Sequence, residues 1–321
     1  MRVPCVAALV ATLSVAVATG QGQAFDVKIL PVQGFDTTMV YMLVGAGGNI
    51  TVQAGDEGVL VVDTGLAARS DEVLAAIRRI SEKPIRIVIN THVHADHTGA
   101  NEAIAKAGQA LGGNAPGNFG LGLDTARVLA HEKVLRRMDA PTGQPSPRPF
   151  GAWPTETFFS EDKEVFFNDE AIQLLYQPGH TDGDVVVFFR RSDVISAGDS
   201  FLTTTYPVID AQAGGGVQGS LDALNRLLDV TIPKDKAEGG TYVIPGHGRL
   251  SDEADVVEYR DMLTIVRDRI AQLAAQGLTL AQVKAARPTR DYDGRYGATA
   301  GPWTTDQFVE AVYRDVAGPR R

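Results

Sequence analysis

The sequence predicts an α+β protein in which two strand-rich halves are each followed by helices, and three observations carry this prediction. Short β-branched runs separated by glycine turns fill the region from Phe25 to Thr64. A second set of short strands occupies residues 164–197 and returns at Tyr242. Apolar residues at helical spacing dominate the chain after Gly248. A chain of 321 residues is long enough to bury a large core without disulfides.

Residues 1–24 are predicted to be a secretory signal peptide. Arg2 precedes an apolar segment from Val3 to Ala18, which is short for a bilayer span, and small residues suited to cleavage follow it. An uncleaved membrane anchor is the alternative. The one cysteine, Cys5, lies in this segment, so the mature chain would have neither a disulfide nor a thiolate ligand. We therefore expect an exported protein, periplasmic or secreted.

Composition and charge indicate the kinds of partner. The formal net charge is −9, and no run is rich in lysine and arginine. These features argue against nucleic acid as a binding partner, and against binding to an anionic membrane surface after signal cleavage. They favour a small-molecule substrate. The oligomeric state is not defined by the sequence. Residues 25–250 are predicted to form the catalytic domain and residues 251–321 a helical extension packed on its core, with a dimer surface as the alternative role of the extension.

The first half is predicted to begin with an antiparallel meander of strands at Val27–Val32, Met39–Val44, Asn49–Gln53 and Val59–Val62. A capped amphipathic helix should begin at Ser70, and a buried strand should follow at Ile85–Ile89. Helices are expected at residues 99–106 and 126–138, and the second would place His131 on a solvated face. The proline-rich residues 140–149 predict a surface flap, because proline removes backbone donors.

The second half is predicted to contain a second layer of strands, at Glu164–Phe167, Ile172–Tyr176, Val185–Phe189 and Val194–Ala197. A helix from Ser220 to Asp229 precedes the strand that begins at Tyr242. Three further helices are expected beyond Gly248, at residues 253–276, 279–286 and 304–313.

A dense polar motif, His92-Val93-His94-Ala95-Asp96-His97, follows directly after the strand at Ile85–Ile89. Open α/β sheets bind their ligands at the carboxyl ends of their strands. In an extended segment side chains two apart share a face, so His92 and His94 can reach one ion while Asp96 and His97 turn toward a second. Imidazole with some carboxylate and no thiol suits zinc, with iron or manganese as alternatives.

Five of the six histidines lie in glycine-flanked loops at strand ends, a distribution that scattered core histidines would not show. The sixth is His131. We assign one ion to His92, His94 and His180, and a second ion to Asp96, His97 and His247, with Asp199 bridging the two. Asp63, which also ends a strand, is expected to accept hydrogen bonds that hold the metal loop rather than to bind an ion.

The series Asp63, His92 to His97, His180, Asp199 and His247 resembles, in order and spacing, the motifs of the metallo-β-lactamase superfamily over residues 26–250. The resemblance implies a four-layer αββα sandwich with helices outside and a dinuclear zinc site at one edge. The best-known lactamases carry Cys where Asp199 stands and Lys where Leu202 stands. An Asp at this position resembles the thioester, lactone and phosphoester hydrolases of the superfamily. The signal peptide instead favours the exported, lactamase-like branch of the superfamily.

The function expected from the site is that of an exported hydrolase with two zinc ions, in which a metal-bridging hydroxide opens an amide or ester bond, such as a β-lactam or lactone ring. Asp96 and Asp199 are the expected catalytic residues, because they could orient that hydroxide. Tyr206 is a candidate donor to the oxyanion, with packing as the alternative. The alternatives for the whole protein are a thioester or phosphoester hydrolase similar to hydroxyacylglutathione hydrolases, and a non-catalytic metal-binding periplasmic protein.

Overall fold

The computed structural model describes residues 27–111, 124–139, 146–236 and 239–318. The predicted signal peptide lies outside the described residues, and so do residues 140–145 of the predicted flap. Within the described part of the chain, no helix is both long enough and apolar enough to cross a membrane.

The first sheet has seven strands in the order β1 to β7. They are β1 Lys28–Phe35, β2 Thr38–Val44, β3 Ile50–Gly55, β4 Gly58–Val62, β5 Ile85–Ile89, β6 Arg127–His131 and β7 Glu156–Phe158. Strands β1 to β4 form the predicted antiparallel meander, and β4 to β7 run parallel to one another. Four α-helices lie among the described residues between these strands: α1 Ser70–Ile80, α2 Ala95–Thr98, α3 Asn101–Ala107 and α4 Glu132–Met138.

The second sheet has five strands in the order β12-β11-β10-β9-β8. They are β8 Asp162–Phe167, β9 Glu170–Tyr176, β10 Val185–Phe189, β11 Val194–Ser196 and β12 Tyr242–Ile244. Strands β8 to β11 are antiparallel, and β12 joins the edge parallel to β11. Helix α5 (Val217–Val230) makes the crossover between β11 and β12, as parallel neighbours require.

The two sheets pack face to face. In β4, Leu60 and Val62 belong to the hydrophobic cluster between the sheets, whereas Val59 and Val61 face α1 and α3 on the outside. This alternation follows from the two-residue period of a strand. Helices α5 and α6 (Glu253–Ala275) cover the outer face of the second sheet. The predicted four-layer αββα sandwich is therefore confirmed.

The C-terminal region contains, after α6, helices α7 (Leu280–Ala286), α8 (Asp293–Tyr296) and α9 (Thr305–Ala317). Capping boxes begin three of the four C-terminal helices, and α8 is the one that the sequence did not predict. Helices α6 and α9 share one hydrophobic cluster with α5 and the second sheet. The division at residue 250 stays a prediction, because this cluster extends across it.

The predicted helix at 126–138 is wrong in its first half, where the chain forms strand β6. Val128, Leu129 and Ala130 are fully buried, and β6 pairs in parallel with β5. This pairing outweighs local helix propensity, because a buried strand gains contacts on both of its faces. His131 ends the strand and is only 2% exposed. It stacks on Tyr176, with ring centroids 4.0 Å apart, so its predicted place on a solvated face is also wrong.

Candidate metal centre

One edge of the sandwich collects the loops that carry the predicted site residues. Strands β4 and β5 are parallel, so the residues that follow them, Asp63 and the His92 motif, emerge together. Strands β11 and β12 are also parallel, and they deliver Asp199 and His247 to the corresponding edge of the second sheet. The backbone N–H of Asn49 donates to the Gly246 carbonyl at 2.7 Å, which joins the two sheets at this edge.

The structure brings all seven predicted ligand side chains together in two groups. The first group is His92, His94, His180 and Asp199, and the second is Asp96, His97 and His247. Within each group the potential ligand atoms lie within 4.8 Å of one another. His180 Nε2 is 2.9 Å from His94 Nδ1, and His97 Nε2 is 3.4 Å from His247 Nε2. The sequence predicted the same two sets of three residues with Asp199 shared between them, and metal binding by these residues stays a prediction.

Asp199 lies between the groups and presents one oxygen to each. Its Oδ1 is 3.2 Å from His97 Nε2 and 3.7 Å from His247 Nε2. Its Oδ2 is 3.7 Å from His180 Nε2. A Cβ atom at Gly246 would collide with Asp199 Oδ1, so this close approach requires glycine. The carboxylate thus has the orientation of a bridge between two cations.

Four of the histidines are held through the ring nitrogen that points away from the site. The partners are Asp63 Oδ2 for His97 (2.7 Å), Asp210 Oδ2 for His94 (2.9 Å), the Val208 carbonyl for His180 (2.6 Å) and the Thr91 hydroxyl for His92 (3.0 Å). An imidazole whose outer N–H is held in this way presents a lone pair on its other nitrogen, as metal-binding histidines do.

Asp63 holds the metal loop from behind, as the sequence predicted. Its carboxylate accepts from the Thr91 backbone N–H (2.8 Å), the Thr91 hydroxyl (2.7 Å) and His97 Nδ1. The side chain is buried, and its φ of 62° is in the left-handed region, which Asp and Asn adopt more readily than most residues. Asp63 belongs to neither ligand group.

The unpaired atoms of the site fit divalent cations. His92 Nε2 is buried and has no hydrogen-bond partner among the described residues. Leaving a buried polar atom unpaired costs about 1–3 kcal/mol. Burial, and then the neighbouring His97, lower the pKa of His92 well below its usual range, so its ring is neutral and free to bind a metal ion. Burial opposes ionisation of Asp199, but His97, His92 and His180 together hold the pKa of Asp199 well below its usual range.

Sequence reasoning missed Asp210 and left two roles open for Tyr206, donation to an oxyanion or packing. Both residues lie in the loop after Asp199. Nothing local distinguishes Asp210 from any other loop acid, and only the fold brings it to His94. Tyr206 is buried, and its hydroxyl lies 3.1 Å from the Thr289 carbonyl and 3.0 Å from Asp293. The suggestion that Tyr206 donates to an oxyanion is therefore wrong, and packing is its role.

The fold and this cluster define the chain as a metallo-hydrolase of the αββα type. A family model described as the metallo-beta-lactamase superfamily matches residues 43–247, from β2 to the last predicted ligand. The chain belongs to the metallo-β-lactamase superfamily, whose members are metal-dependent hydrolases.

The similar curated proteins include an alkylsulfatase, an O-demethylase subunit and a probable metallo-hydrolase. A linear primary-alkylsulfatase from Pseudomonas sp. is 24% identical over 244 residues, which are 68% of this chain and 44% of that protein. The alpha subunit of a 2,4-dinitroanisole O-demethylase from Nocardioides sp. is 27% identical over 164 residues, 48% of this chain and 42% of the subunit. A probable metallo-hydrolase from Methanocaldococcus jannaschii is 23% identical over 65% of this chain and 91% of its own length. The chain spans less than half the length of the first two relatives.

Two solved structures show how widely the fold is shared. A stereoselective inverting sec-alkylsulfatase from Pseudomonas sp. superposes with a TM-score of 0.59 at 15% identity, over 85% of this chain and 48% of its own. A metallo-beta-lactamase from Pontibacter korlensis gives a TM-score of 0.51 at 16% identity, over 74% of this chain and 99% of its own. At these identities the likeness concerns the fold alone.

Proposed function

We propose that this protein is a dinuclear zinc hydrolase that cleaves an ester or amide bond of a small-molecule substrate. The observation that carries the proposal is Asp199, whose two carboxylate oxygens face two separate groups of imidazole and carboxylate ligands. A single structural ion would need only one of these groups. Iron or manganese could occupy the same nitrogen and oxygen ligands, so metal analysis is part of the test.

The proposed division of work follows from the positions of the side chains. His92, His94 and His180 would hold one ion, Asp96, His97 and His247 the other, and Asp199 would bind both. When bound, two zinc ions would supply Lewis acidity and a water whose pKa is lowered toward neutrality. Asp96 would orient that water together with Asp199, because its side chain is one-third exposed while Oδ2 lies 3.1 Å from His247 Nε2.

The bond that is cleaved is a separate question, and two candidates lead. The sequence favours a strained ring, a β-lactam or a lactone, because the chain resembles the exported lactamase-like branch. The alkylsulfatase relatives favour a sulfate ester, and one alkylsulfatase structure covers 85% of this chain against 74% for a lactamase. Thioesters and phosphoesters of the hydroxyacylglutathione-hydrolase type complete the set. Each of these reactions is a hydrolysis, in which water is added across one bond of an acyl, sulfuryl or phosphoryl compound.

The test is turnover by residues 25–321 loaded with zinc, on a panel that contains a chromogenic cephalosporin, a lactone, a thioester, a phosphodiester and an alkyl sulfate. We expect kcat/KM of about 10⁴ M⁻¹ s⁻¹ or more on one class, as is usual for an enzyme on its own substrate. Asp199→Ala should lose bound zinc and turnover together. Asp255→Ala is the control, since its carboxylate is also mostly buried (14% exposed) but lies at the start of α6.

Two results would decide against the proposal. Full zinc content and full turnover in Asp199→Ala would remove the ligand assignment. Tight zinc binding with no turnover of any substrate class would favour the alternative function, that of a metal-binding protein without catalysis.

We also propose export to the periplasm or the medium, which rests on the signal-like residues 1–24. N-terminal sequencing of the protein expressed from the full chain should find a mature start near residue 25, in an extracytoplasmic fraction. A cytoplasmic product that begins at Met1 would refute export.

A further inference from the structure

A cleft of about 720 Å³ lies between the loop of residues 208–216 and the C-terminal residues 302–315. His94 lines this cleft, and His94 is a predicted ligand whose Nδ1 faces His180. A molecule in the cleft would therefore contact His94, the one candidate ligand that lines it. The volume is within the range of about 300–1,000 Å³ that is usual for small-molecule sites.

The carboxylates in the walls of the cleft are already paired within the protein. Asp210 binds His94 at 2.9 Å, and Asp315 accepts the backbone N–H of Val217 at 2.7 Å, at the start of α5. The third wall carboxylate, that of Glu310, forms ion pairs with Lys284 and Arg314 of the C-terminal region. Each of these acids therefore already has a partner within the protein, which uses part of its hydrogen-bonding capacity.

What remains for a ligand is mainly apolar surface. The apolar lining residues are Val208, Ile209, Ala211, Pro302, Trp303 and Ala311. They come from both walls, so an apolar group between them would be covered on two sides. Burial of such a group is favourable in proportion to the area removed from water.

The two walls are fixed relative to each other before any ligand binds. Helix α9 buries Phe308, Val309 and Val312 in the core, and a capping box at Thr304 begins it. Tyr206, which leads into the loop wall, stacks on Phe308 with ring centroids 4.5 Å apart and planes 4° from parallel. Because this cleft is preorganised, little binding energy is lost in ordering it.

We propose that helix α9 and the loop of residues 208–216 form a substrate cleft that takes an extended apolar group attached to the scissile bond. The proposal deepens the hydrolase function proposed above and rests on it. The substrate class is then an amphiphilic ester, with the reactive head at His94 and the apolar arm along Trp303 and Ala311.

The test uses binding rather than turnover. Hexyl, octyl and decyl sulfonate carry one head group on arms of increasing length, and they cannot be hydrolysed because carbon is bonded directly to sulfur. Calorimetric titration below the micelle-forming concentration should show affinity rising about fourfold for each methylene, the value expected when a methylene is fully buried. The head group is constant across the series, so the increment reports the cleft alone.

Ala311→Phe fills the cleft from the α9 side, so only a shorter alkyl arm should fit. It should weaken decyl sulfonate binding at least about tenfold, because each of the several methylenes it displaces contributes about fourfold to the affinity. Ala285→Phe, at an exposed position of α7 outside the cleft, is the matched control and should bind as the wild type does. Melting curves of both variants establish that they are folded.

A second measurement leaves the cleft unchanged. The chain has two tryptophans, so Trp153→Phe leaves Trp303 as the single indole reporter. Its emission should change saturably with decyl sulfonate, at the calorimetric affinity. Affinity independent of arm length, equal affinity in Ala311→Phe and Ala285→Phe, or a silent Trp303 during binding would each overturn the cleft assignment. None of these results depends on whether the protein hydrolyses an ester.

Discussion

Asp63→Asn is the substitution that best separates the outer support of the site from its ligands. Asp63 binds no ion in our assignment, yet it receives three hydrogen bonds, from the Thr91 backbone, the Thr91 hydroxyl and His97. Asparagine keeps the shape of the side chain and also tolerates its φ of 62°. However, it accepts through one atom and places an amide N–H₂ where the other carboxylate oxygen was. In one orientation the amide N–H₂ faces His97 and the Thr91 hydroxyl, and in the other it faces the Thr91 backbone N–H. His97 therefore either loses its acceptor or keeps a neutral one in place of a carboxylate.

The magnitude follows from the bond that is lost. The contact between Asp63 Oδ2 and His97 Nδ1 is 2.7 Å long and fully enclosed, with His97 0% and Asp63 2% exposed. A hydrogen bond to a charged group contributes about 1.5–3 kcal/mol. Loss of a comparable partner behind a ligand typically weakens metal binding about 10–100-fold, which corresponds to about 1.4–2.7 kcal/mol. The two ranges agree, so we expect the second ion to bind about 10–100-fold more weakly.

The matched control is Asp210→Asn, which makes the same chemical change behind the other ligand group. Asp210 supports His94, so this variant should weaken the first ion and spare the second. Competition with a chromogenic chelator gives the two zinc affinities. Anomalous diffraction from crystals grown with limiting zinc identifies which group has lost occupancy.

Two results would refute the reasoning on Asp63. Wild-type affinity for both ions in Asp63→Asn would mean that the hydrogen bond to His97 does not hold the ligand. Loss of the ion at His92, His94 and His180 instead would mean that the two groups are wrongly divided. A melting temperature of the metal-free variant close to that of the wild type guards against general unfolding.

Two further predictions concern the regions around the site. The Asp255 carboxylate pairs with Arg249 (2.5 and 2.8 Å) and accepts from the Asp252 backbone N–H in the α6 capping box. Asp255→Asn removes its charge and one of its two acceptor oxygens, and should lower the free energy of unfolding by about 1–2 kcal/mol at neutral pH. Burial raises the pKa of Asp255, but the hydrogen bond from Arg249 contributes to a net lowering of this pKa from 3.8. The stabilisation is therefore present above pH 3.8 and is lost as the pH falls through the lower folded-state pKa. Denaturant titrations of the wild type and the variant should give the same free energy of unfolding in acid, and a difference that stays constant with pH would contradict this. Arg137→Ala removes the pair with Asp182 (2.6 and 2.8 Å) and a contact with the Gln212 carbonyl. Backbone amides of residues 208–216 should then exchange hydrogen with solvent about fivefold faster, as a loss of about 1 kcal/mol implies. Arg136→Ala, at an exposed position of the same helix, is the control and should leave these exchange rates unchanged.

The clustering of the candidate ligands could be predicted from the sequence because each member has a local signature. The histidines stand at the ends of short apolar runs beside glycine, and parallel strand pairs then bring those ends to one edge. Asp210 has no such signature. Its contact with His94 depends on the path of a loop, which is set by the stacking of Tyr206 on Phe308 from a helix about a hundred residues further along the chain.

The errors in the predicted elements have the same origin. Strand β7 is three residues long, and it exists because Leu129, Ala130 and His131 of β6 offer a free parallel edge. Strand β6 itself has a sequence compatible with helix, and pairing with β5 decides the outcome. Local patterns therefore located the strands of the meander and the long C-terminal helices, whereas the parallel edge of the first sheet required the tertiary structure.

The C-terminal helices pack on the segment that follows Asp199, although the superfamily match ends at residue 247. Phe201, two residues after Asp199, packs edge-on against Tyr259 of α6 with centroids 5.3 Å apart. The Tyr259 hydroxyl donates to the Thr205 carbonyl at 3.1 Å, so α6 holds the segment between Asp199 and Tyr206 at two points. Because that segment begins at Asp199 and leads into the loop that supports His94, α6 helps to position two of the candidate ligands, while α9 forms one wall of the proposed cleft.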